Sequence, residues 1–549
     1  MKKLILLLLT SATFLQAQIT PFQKKFGGLE REILWRTDKI SDDKFVSGGS
    51  LISGDRRDGL ITVFDIEGNL DNAWILGDDS FDYTNISDVL ALEDGSMVVI
   101  GHVRPYANDD EHDNAFIYRI SPEGTVLWSK QFGNEQIQVI AQDGLIETSD
   151  GNILWTGLVS PQDSNDQALL IKMAVNGSVL FSKQWNASTD YERFGGVTEV
   201  SDGYVVAGYS DFFEPDLTTF KPIVVKFDFN GNMLWSNIYD DGSLVHANNI
   251  RILANDDELF VAYGAGNQDS NAGIDRDIIV MKLSSSGGVI WANRYIGPAG
   301  EDIDDMSFSH SGNIIINGDL TGIGFEEANG FVAIISVEGD LHNVHLFGKD
   351  KFDSITDIIK IEENDCRGYL LFGHSRSFNL DESDDGWIIK TDVNFGDFAD
   401  CFTQNVPFSV QSSSMQSSSL GTVTNWNVTS TPSLELTEIN FSSSEITSCA
   451  PIIAPDCTTV ATDDLHLEKP NIHLFPNPNE GHFKIQIDNV QNIKNVNLFD
   501  TIGRPVPFDY TSNGNTIEMK ITNEFYGIAF IHFYINNTSV SEVVIIGRD

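Results

Sequence analysis

Basic side chains are scarce here: 34 Lys and Arg stand against 80 Asp and Glu in 549 residues, a formal charge of −46. Phosphate recognition needs a basic surface, so this balance argues against nucleic acid, and it also disfavours anionic glycans. Long hydrophobic runs are missing. The apolar run Leu4 to Leu9 is too short for a stable bilayer anchor, so no integral membrane segment is expected after leader removal. Cysteine is limited to four residues without zinc-finger spacing or an accompanying His cluster. His102, His246, His310 and His374 are scattered and form no H-E-x-x-H or other metal-ligand spacing. Acidic pairs such as Asp109/Asp110, Asp240/Asp241 and Asp304/Asp305 read first as solvated loop charge, with calcium as the alternative.

At the N-terminus, Lys2 and Lys3 precede the Leu4 to Leu9 run, and small or polar residues follow. That is the layout of a signal peptide over residues 1–17, with cleavage after Ala17. The C-terminal residues carry FPNPNEGHFKI (475–485), NLFDTIGRPV (497–506) and YGIAF (526–530) among short alternating strands. Prolines and glycines punctuate these strands at turns, which reads as a small C-terminal β-sandwich over residues 469–549. The motif residues are Phe475, Pro476, Asn477, Pro478, Gly481, Asp500, Gly503, Arg504 and Gly527. They resemble the type A C-terminal sorting domain of the Bacteroidota type IX (Por) secretion system. The resemblance implies recognition by the type IX machinery, outer-membrane export, removal of the domain, and release or attachment at the cell surface.

Between residues 28 and 402 two landmarks recur with a period of roughly 51 to 57 residues, as in solenoids and propellers. The first is an apolar strand ending in Gly: KFVSGG (44–49), SMVVIG (96–101), NILWTG (152–157), YVVAG (204–208), LFVAYG (259–264), NIIING (313–318) and YLLFG (369–373). The second is a strand, a Gly turn and often a Trp, as in IYRISPEGTVLW (117–128) and VVKFDFNGNMLW (224–235). About four short strands per unit gives a propeller blade. The expectation is therefore an all-β chain: a seven-bladed β-propeller over residues 18–405, a Ser/Thr-rich linker over 406–468, and the C-terminal sandwich. PFQKKFGG (21–28) is similar to the outer-strand sequence WSKQFGN (128–134), so the N-terminal strand is expected to complete the seventh blade. An eight-bladed quinoprotein-like ring is the rival, but only seven Gly-ended strands are present. These units also resemble repeat propellers joined to type IX sorting domains, a resemblance that implies no defined activity. Trp128, Trp235 and Trp291 recur at one repeat position and read as inter-blade anchors. Lys172, Lys226, Lys282, Lys390 and Arg119 recur as well and are expected to pair with acidic turns of the next unit.

Four cysteines in an exported chain suggest two disulfides with three pairings open. Cys366 with Cys401 falls within one repeat, and Cys449 with Cys457 would close a short linker loop. The linker, with SSSMQSSS (412–419) and FSSSEITS (441–448), reads as a polar spacer with room for a β-ribbon against the propeller.

Chemistry is less legible. GHSRS (373–377) approaches a nucleophile elbow but lies at a repeated strand end. Asp381, Ser383 and Asp385 have EF-hand-like offsets, making Ca2+ the one cofactor to consider, although no helices flank them. The long segments 105–113, 211–221, 264–276 and 375–386 all join second to third strands and should cluster on one face. Tyr106, Phe212, Phe213 and Phe378 within them are the candidate ligand contacts. No catalytic residue stands out. The first functional reading is a non-enzymatic binding propeller, exported to the cell surface or the medium, recognising a glycan or a surface protein. The alternative is an extracellular polysaccharide hydrolase or lyase, and the third is a structural envelope part.

Overall fold

The computed structural model describes residues 19–547 except 29, 78–80, 106–111, 162–164, 188–190, 215–216, 243–244, 268–275, 298–299, 322–326, 364–365, 380–382, 396–407, 426–429, 432–435, 440–441, 446–471, 477–478, 480, 488–492, 501–505, 514–515, 523–524 and 536–537. The expected leader (1–17) lies outside this set, as do Cys401, Cys449 and Cys457. The protein is all-β, with no helix among the described residues.

Residues 31–392 fold into antiparallel units numbered here 1 to 7 in chain order. Their inner strands are Arg31–Ser41, Phe81–Ala91, Ile137–Glu147, Glu192–Val200, Val245–Asn255, Glu301–Phe308 and Asp353–Glu363. Each inner strand packs against the next, and that of unit 7 packs against that of unit 1, so the units form a ring. Units 1 to 6 each contain four consecutive strands. Unit 7 has three of its own, and its fourth is Phe22–Gly27, paired antiparallel from Phe22↔Lys390 to Phe26↔Gly386. Phe22 and Phe26 are buried there in a cluster with Phe64, Leu370 and Phe372.

A β-bulge interrupts the ladder of every inner strand, between Leu34/Arg36, Ile86/Asp88, Ala141/Leu145, Phe194/Gly196, Asn248/Arg251, Ile303/Asp305 and Ile355/Asp357. The recurrent strand-ending glycine is what makes room for it. A Cβ on Gly49, Gly208, Gly318 or Gly373 would lie 1.8 to 1.9 Å from the facing carbonyl oxygen of Ile33, Arg193, Asp302 or Ser354. Gly101 and Gly157 face Asn85 and Ile140 in the same way at 2.0 and 2.3 Å. No real Cβ tolerates such a contact, so each repeat keeps Gly where the inner strand bends. The bulge also re-aims the side chains around it, in this ring toward the axis.

Neighbouring units are locked by the recurring tryptophans. Trp128, Trp235 and Trp291 donate from Nε1 to the carbonyls of Val175, Ser285 and Val337 in the following unit, at 2.9, 3.1 and 3.2 Å. The recurring cations differ from expectation, because their acids come first from their own unit: Lys172 with Asp150, Lys226 with Asp202, Lys282 with Glu258 and Lys390 with Glu363. Contacts to the next unit are added on top, as in Lys172 Nζ to Tyr204 Oη at 2.7 Å and Lys390 to Glu67 at 3.1 Å.

The Ser/Thr-rich segment forms more than a spacer. Its strands Ser409–Ser412, Gln416–Ser419, Thr422–Asn425, Ser430–Thr431, Leu436–Ile439 and Ser442–Glu445 add in turn to the outer strands of units 5, 4, 3, 2, 1 and 7. The chain thus encircles the ring against the order of the units. Exposed, mostly polar residues, as in Ser409–Ser412 and Gln416–Ser419, suit strands that pair on one edge only, and the added strands cover edges that would otherwise expose unpaired backbone groups.

The C-terminal residues form a four-stranded sheet, ordered Ile472–Phe475, His482–Ile487, Thr516–Ile521, Phe508–Asn513, and a three-stranded sheet of Ile493–Asp500, Gly527–Ile535 and Thr538–Ile546. The two bury a common core that includes Phe483, Ile485, Leu498, Ile517, Ile531 and Val544. Asn479 is buried in the opening motif and ties it to the last strand: its N–H donates to Ile545 O at 2.9 Å, and its carbonyl accepts from Gly547 N at 2.8 Å. Its Oδ1 accepts from Gly481 N at 2.7 Å, where Gly481 has φ +87°.

Candidate ligand-binding site

Inner strands begin, second strands end and third strands begin at the same end of the ring, called its mouth below. Below the mouth, bulge-directed side chains from several units meet on the axis. Arg36 Nη2 donates to Asp143 Oδ2 at 2.9 Å and to Asp304 O at 2.8 Å, and its Nη1 reaches Thr356 O at 3.1 Å. Arg251 Nη2 donates to the same Asp143 Oδ2 at 2.7 Å, and its Nε donates to Asp304 O at 2.8 Å. Two guanidiniums therefore cross the axis and share one carboxylate. Around them, burial drives the carboxyls of Asp88 and Asp357 well above the usual range, and Asp305, also raised by burial, hydrogen-bonds Asp357. Asp357 Oδ2 and Asp88 Oδ1 also accept from backbone N–H groups, of Thr37 at 2.6 Å and Val89 at 2.8 Å. Each acid has a backbone or arginine partner, so this layer is a polar plug that ties unit to unit.

The mouth above the plug is chemically uneven. On units 1 and 2, Arg57 and Arg104 lie over the Tyr83 ring at 4.9 and 5.0 Å, and His102 stacks on it at 5.6 Å. A polar chain continues from Arg57 Nη1 to Tyr83 Oη (3.1 Å) and Asn85 Oδ1 (3.4 Å), then through Ser50 Oγ to Trp35 Nε1. On unit 4, Arg193 lies 4.3 Å over Tyr209, which packs with Tyr191 and Phe220. On unit 6, Asp302, Asp304 and Asp319 face one another: Asp302 is paired with Arg276, Asp304 accepts from Ser354 Oγ at 2.9 Å, and burial lifts Asp304 to about 7 and Asp319 well above its usual range. In unit 7, Phe352, His374 and Arg376 repeat the arrangement of Tyr83, His102 and Arg104, with His374 stacked on Phe352 at 5.5 Å and Arg376 5.3 Å over it, whereas Arg57, Arg193, Asp302 and Asp319 have no counterpart at their positions in the other units.

The residues nominated from the sequence fare differently. Phe378 turns back against Trp387, with ring centroids 5.6 Å apart, and joins the core of units 6 and 7. Residues 211–221 are a continued strand pair instead of an irregular loop, since Gly203–Glu214 and Leu217–Phe227 pair to Glu214↔Leu217. Phe212 and Phe213 lie on that ribbon, with side chains outside the described residues, and Tyr106 and Asp381 fall outside them entirely. Asp385 pairs with Lys25 at 3.1 Å, and the Ser383 carbonyl accepts from Asn379 Nδ2 at 2.7 Å, so neither points to a calcium loop. Among the described residues no group of three His, Cys, Asp or Glu is placed to hold a metal ion. Of the sorting motif, Phe475, Pro476, Gly481 and Gly527 are described, as is the backbone of Asp500, while Asn477, Pro478, Gly503 and Arg504 are not. Sequence reasoning missed Arg57, Tyr83, Arg193 and Tyr209, which lie in strands and match no motif.

The buried acids and histidines give a pH signature. Desolvation raises Glu32 to about 8, Asp304 to about 7 and Asp353 to about 6. A carboxyl raised in the folded state costs stability above its folded value, and that cost is relieved as pH falls through it. Burial depresses His102, His345 and His374 to about 4. The unfolded chain protonates such histidines first, so their contribution is lost as pH falls from roughly 6.5 toward 4. Melting temperature should therefore rise as pH is lowered from about 9 toward about 6, and below that the three histidines offset a growing part of the gain from the carboxyls. A steady rise from pH 5 to 9 in a thermal scan would contradict this assignment.

Comparison with known proteins places the tail. Residues 473–547 match the secretion system C-terminal sorting domain. With this sorting tail, the protein is exported through type IX secretion to the cell surface or extracellular space. None of the curated proteins compared matches the chain. Solved structures similar to it include a polysaccharide lyase (TM-score 0.43, 10% identity, 65% of this chain and 89% of that one). Others are Drosophila Plexin A in complex with Semaphorin 1b (0.37, 8%, 69% and 88%) and Penicillium chrysogenum alpha-L-arabinanase complexed with arabinobiose (0.33, 10%, 56% and 92%). Ahead of the sorting tail, no helix among the described residues is long and apolar enough to cross a membrane.

Proposed function

We propose that residues 18–405 are a seven-bladed β-propeller, closed by the N-terminal strand, that binds a glycan at its mouth after type IX export. The seven repeated inner strands and the pairing of Phe22–Gly27 with unit 7 support the ring. Residues 406–468 form the encircling segment and linker, and residues 469–549 form a C-terminal β-sandwich. A Cys366–Cys401 disulfide belongs to the same reading, supported by the burial of Cys366 and its bonded state.

One observation carries the functional reading: Arg57, Arg193, Asp302 and Asp319, which have no counterpart in the other units, gather at the mouth, the two arginines over tyrosine rings, while the recurring glycines, tryptophans and strand-ending cations build the scaffold. A glycan array probed with the full chain tests it. Saturable binding that is lost in Tyr83→Ala, with the variant still folded, is the expected result. No binding to any glycan would overturn the reading. Asp302, Asp304 and Asp319 supply a specific reason to keep a hydrolase as the second reading, because Asp304 is held near a proton-donating range beside other carboxylates. Mass spectrometry of array-selected oligosaccharides after incubation separates the two, since cleavage products appear only for an enzyme.

A further inference from the structure

Arginine is well supplied with carboxylates in this chain, as 80 acids against 34 bases require. Among the described residues every arginine makes an ion pair except Arg57 and Arg193. Both are at the mouth, and both lie on a tyrosine ring. Arg57 shows why this matters. Only its Nη1 is engaged, by Tyr83 Oη and Asn85 Oδ1. Among the described residues the Nε and Nη2 edge of the guanidinium has no partner, and that edge presents two parallel N–H donors of the kind a carboxylate or sulfate accepts. The fork is also held in place. Tyr83 supports it from below, the backbones of Arg57 and Tyr83 form the bridge that joins units 1 and 2, and Arg56 beside it is occupied by Asp58. Arg104, on the same ring, is neutralised by Asp113 at 3.0 Å, so Arg57 supplies the local positive charge of this cluster.

We propose that Arg57 seats an anionic substituent, carboxylate or sulfate, of a sugar bound at the mouth. This rests on the glycan reading above and narrows its ligand class. The overall charge of −46 does not prevent it. Solvated charges beyond about 8 Å are largely screened at physiological salt, whereas an anion in contact with a guanidinium meets that group alone.

The test uses the full chain and three probes of equal length: an oligouronate, a sulfated neutral oligosaccharide and the unmodified neutral oligosaccharide. At least one anionic probe should bind more tightly than the neutral one, with affinity falling as salt is raised, and the stronger of the two identifies the substituent. Arg57→Gln should lower that affinity about tenfold or more. Arg57→Lys, which keeps the charge but loses the fork, should fall between the two. Arg367→Gln, at an exposed pair with Glu362 far along the chain, serves as the charge-matched control and should change nothing. Equal binding of all three probes with Arg57→Gln unchanged would overturn the anionic assignment and leave the glycan reading standing. Failure of every probe, neutral included, would remove both.

Discussion

Deleting residues 470–549 is expected to abolish delivery of the ring beyond the outer membrane, leaving it in the periplasm of cells that otherwise export it. The tail carries the sorting match, and its first motif and last strand form one unit through Asn479. Asn479→Ala should therefore reproduce part of the effect. It removes the bonds from Nδ2 to Ile545 O at 3.2 Å and from Gly481 N to Oδ1, and leaves buried backbone without these partners. Loss of a buried hydrogen-bonding side chain costs roughly 1–3 kcal/mol, enough to lower the folded fraction of a domain this small. Cell fractionation with immunodetection of the ring reads both variants. Undiminished extracellular protein from the truncated chain would show that the tail is dispensable.

The second large effect is expected at the axis. Arg36→Met should destabilise the ring by about 3–5 kcal/mol, the cost of leaving a buried charge without its partner. Arg36 bonds to groups of units 3, 6 and 7 from unit 1, and Asp143, Asp305, Asp357 and Asp88 all hold it in its charged form. Without it, Arg251 alone faces those acids. The same carboxyls would take up protons more readily in the variant, so the loss should shrink as pH is lowered from 8 toward 5. Denaturant midpoints at the two pH values measure this. A pH-independent loss would mean that Arg36 acts by packing alone.

What was legible in the sequence is what repeats or what belongs to a motif. Each strand-ending glycine marks a place where a Cβ would strike the bulged inner strand, so a steric rule imposed in every unit became a visible period. Trp128, Trp235 and Trp291 were legible for the same reason, because each spans to the next unit through one repeated bond. The sorting tail was legible through its ordered motifs. Residues 211–221 were misread because Pro215 and Pro222 signal a loop, while the aromatic and β-branched residues between Asp211 and Phe220 sustain the ladder. Phe378 was misread because membership in a mouth segment does not fix side-chain direction, and this ring found an apolar partner in Trp387. Arg57 could not be read at all. Its distinguishing property is the lack of a carboxylate partner among the described residues, which exists only once the other arginines have found theirs. The encircling strands were hidden similarly, since a Ser/Thr-rich segment pairs through its backbone and leaves little side-chain pattern.

Hydrogen–deuterium exchange of the full chain, with and without an array-selected oligosaccharide, decides whether the exported ring takes its ligand at the mouth. Protection is predicted at the leading residues of the inner strands of units 1, 2 and 4 and at the start of the third strand of unit 1, around Arg57, Tyr83 and Arg193. Exchange in the turns at the opposite end, such as 121–124 and 228–231, should not change. Protection confined to those turns or to the encircling strands would place the ligand away from the mouth.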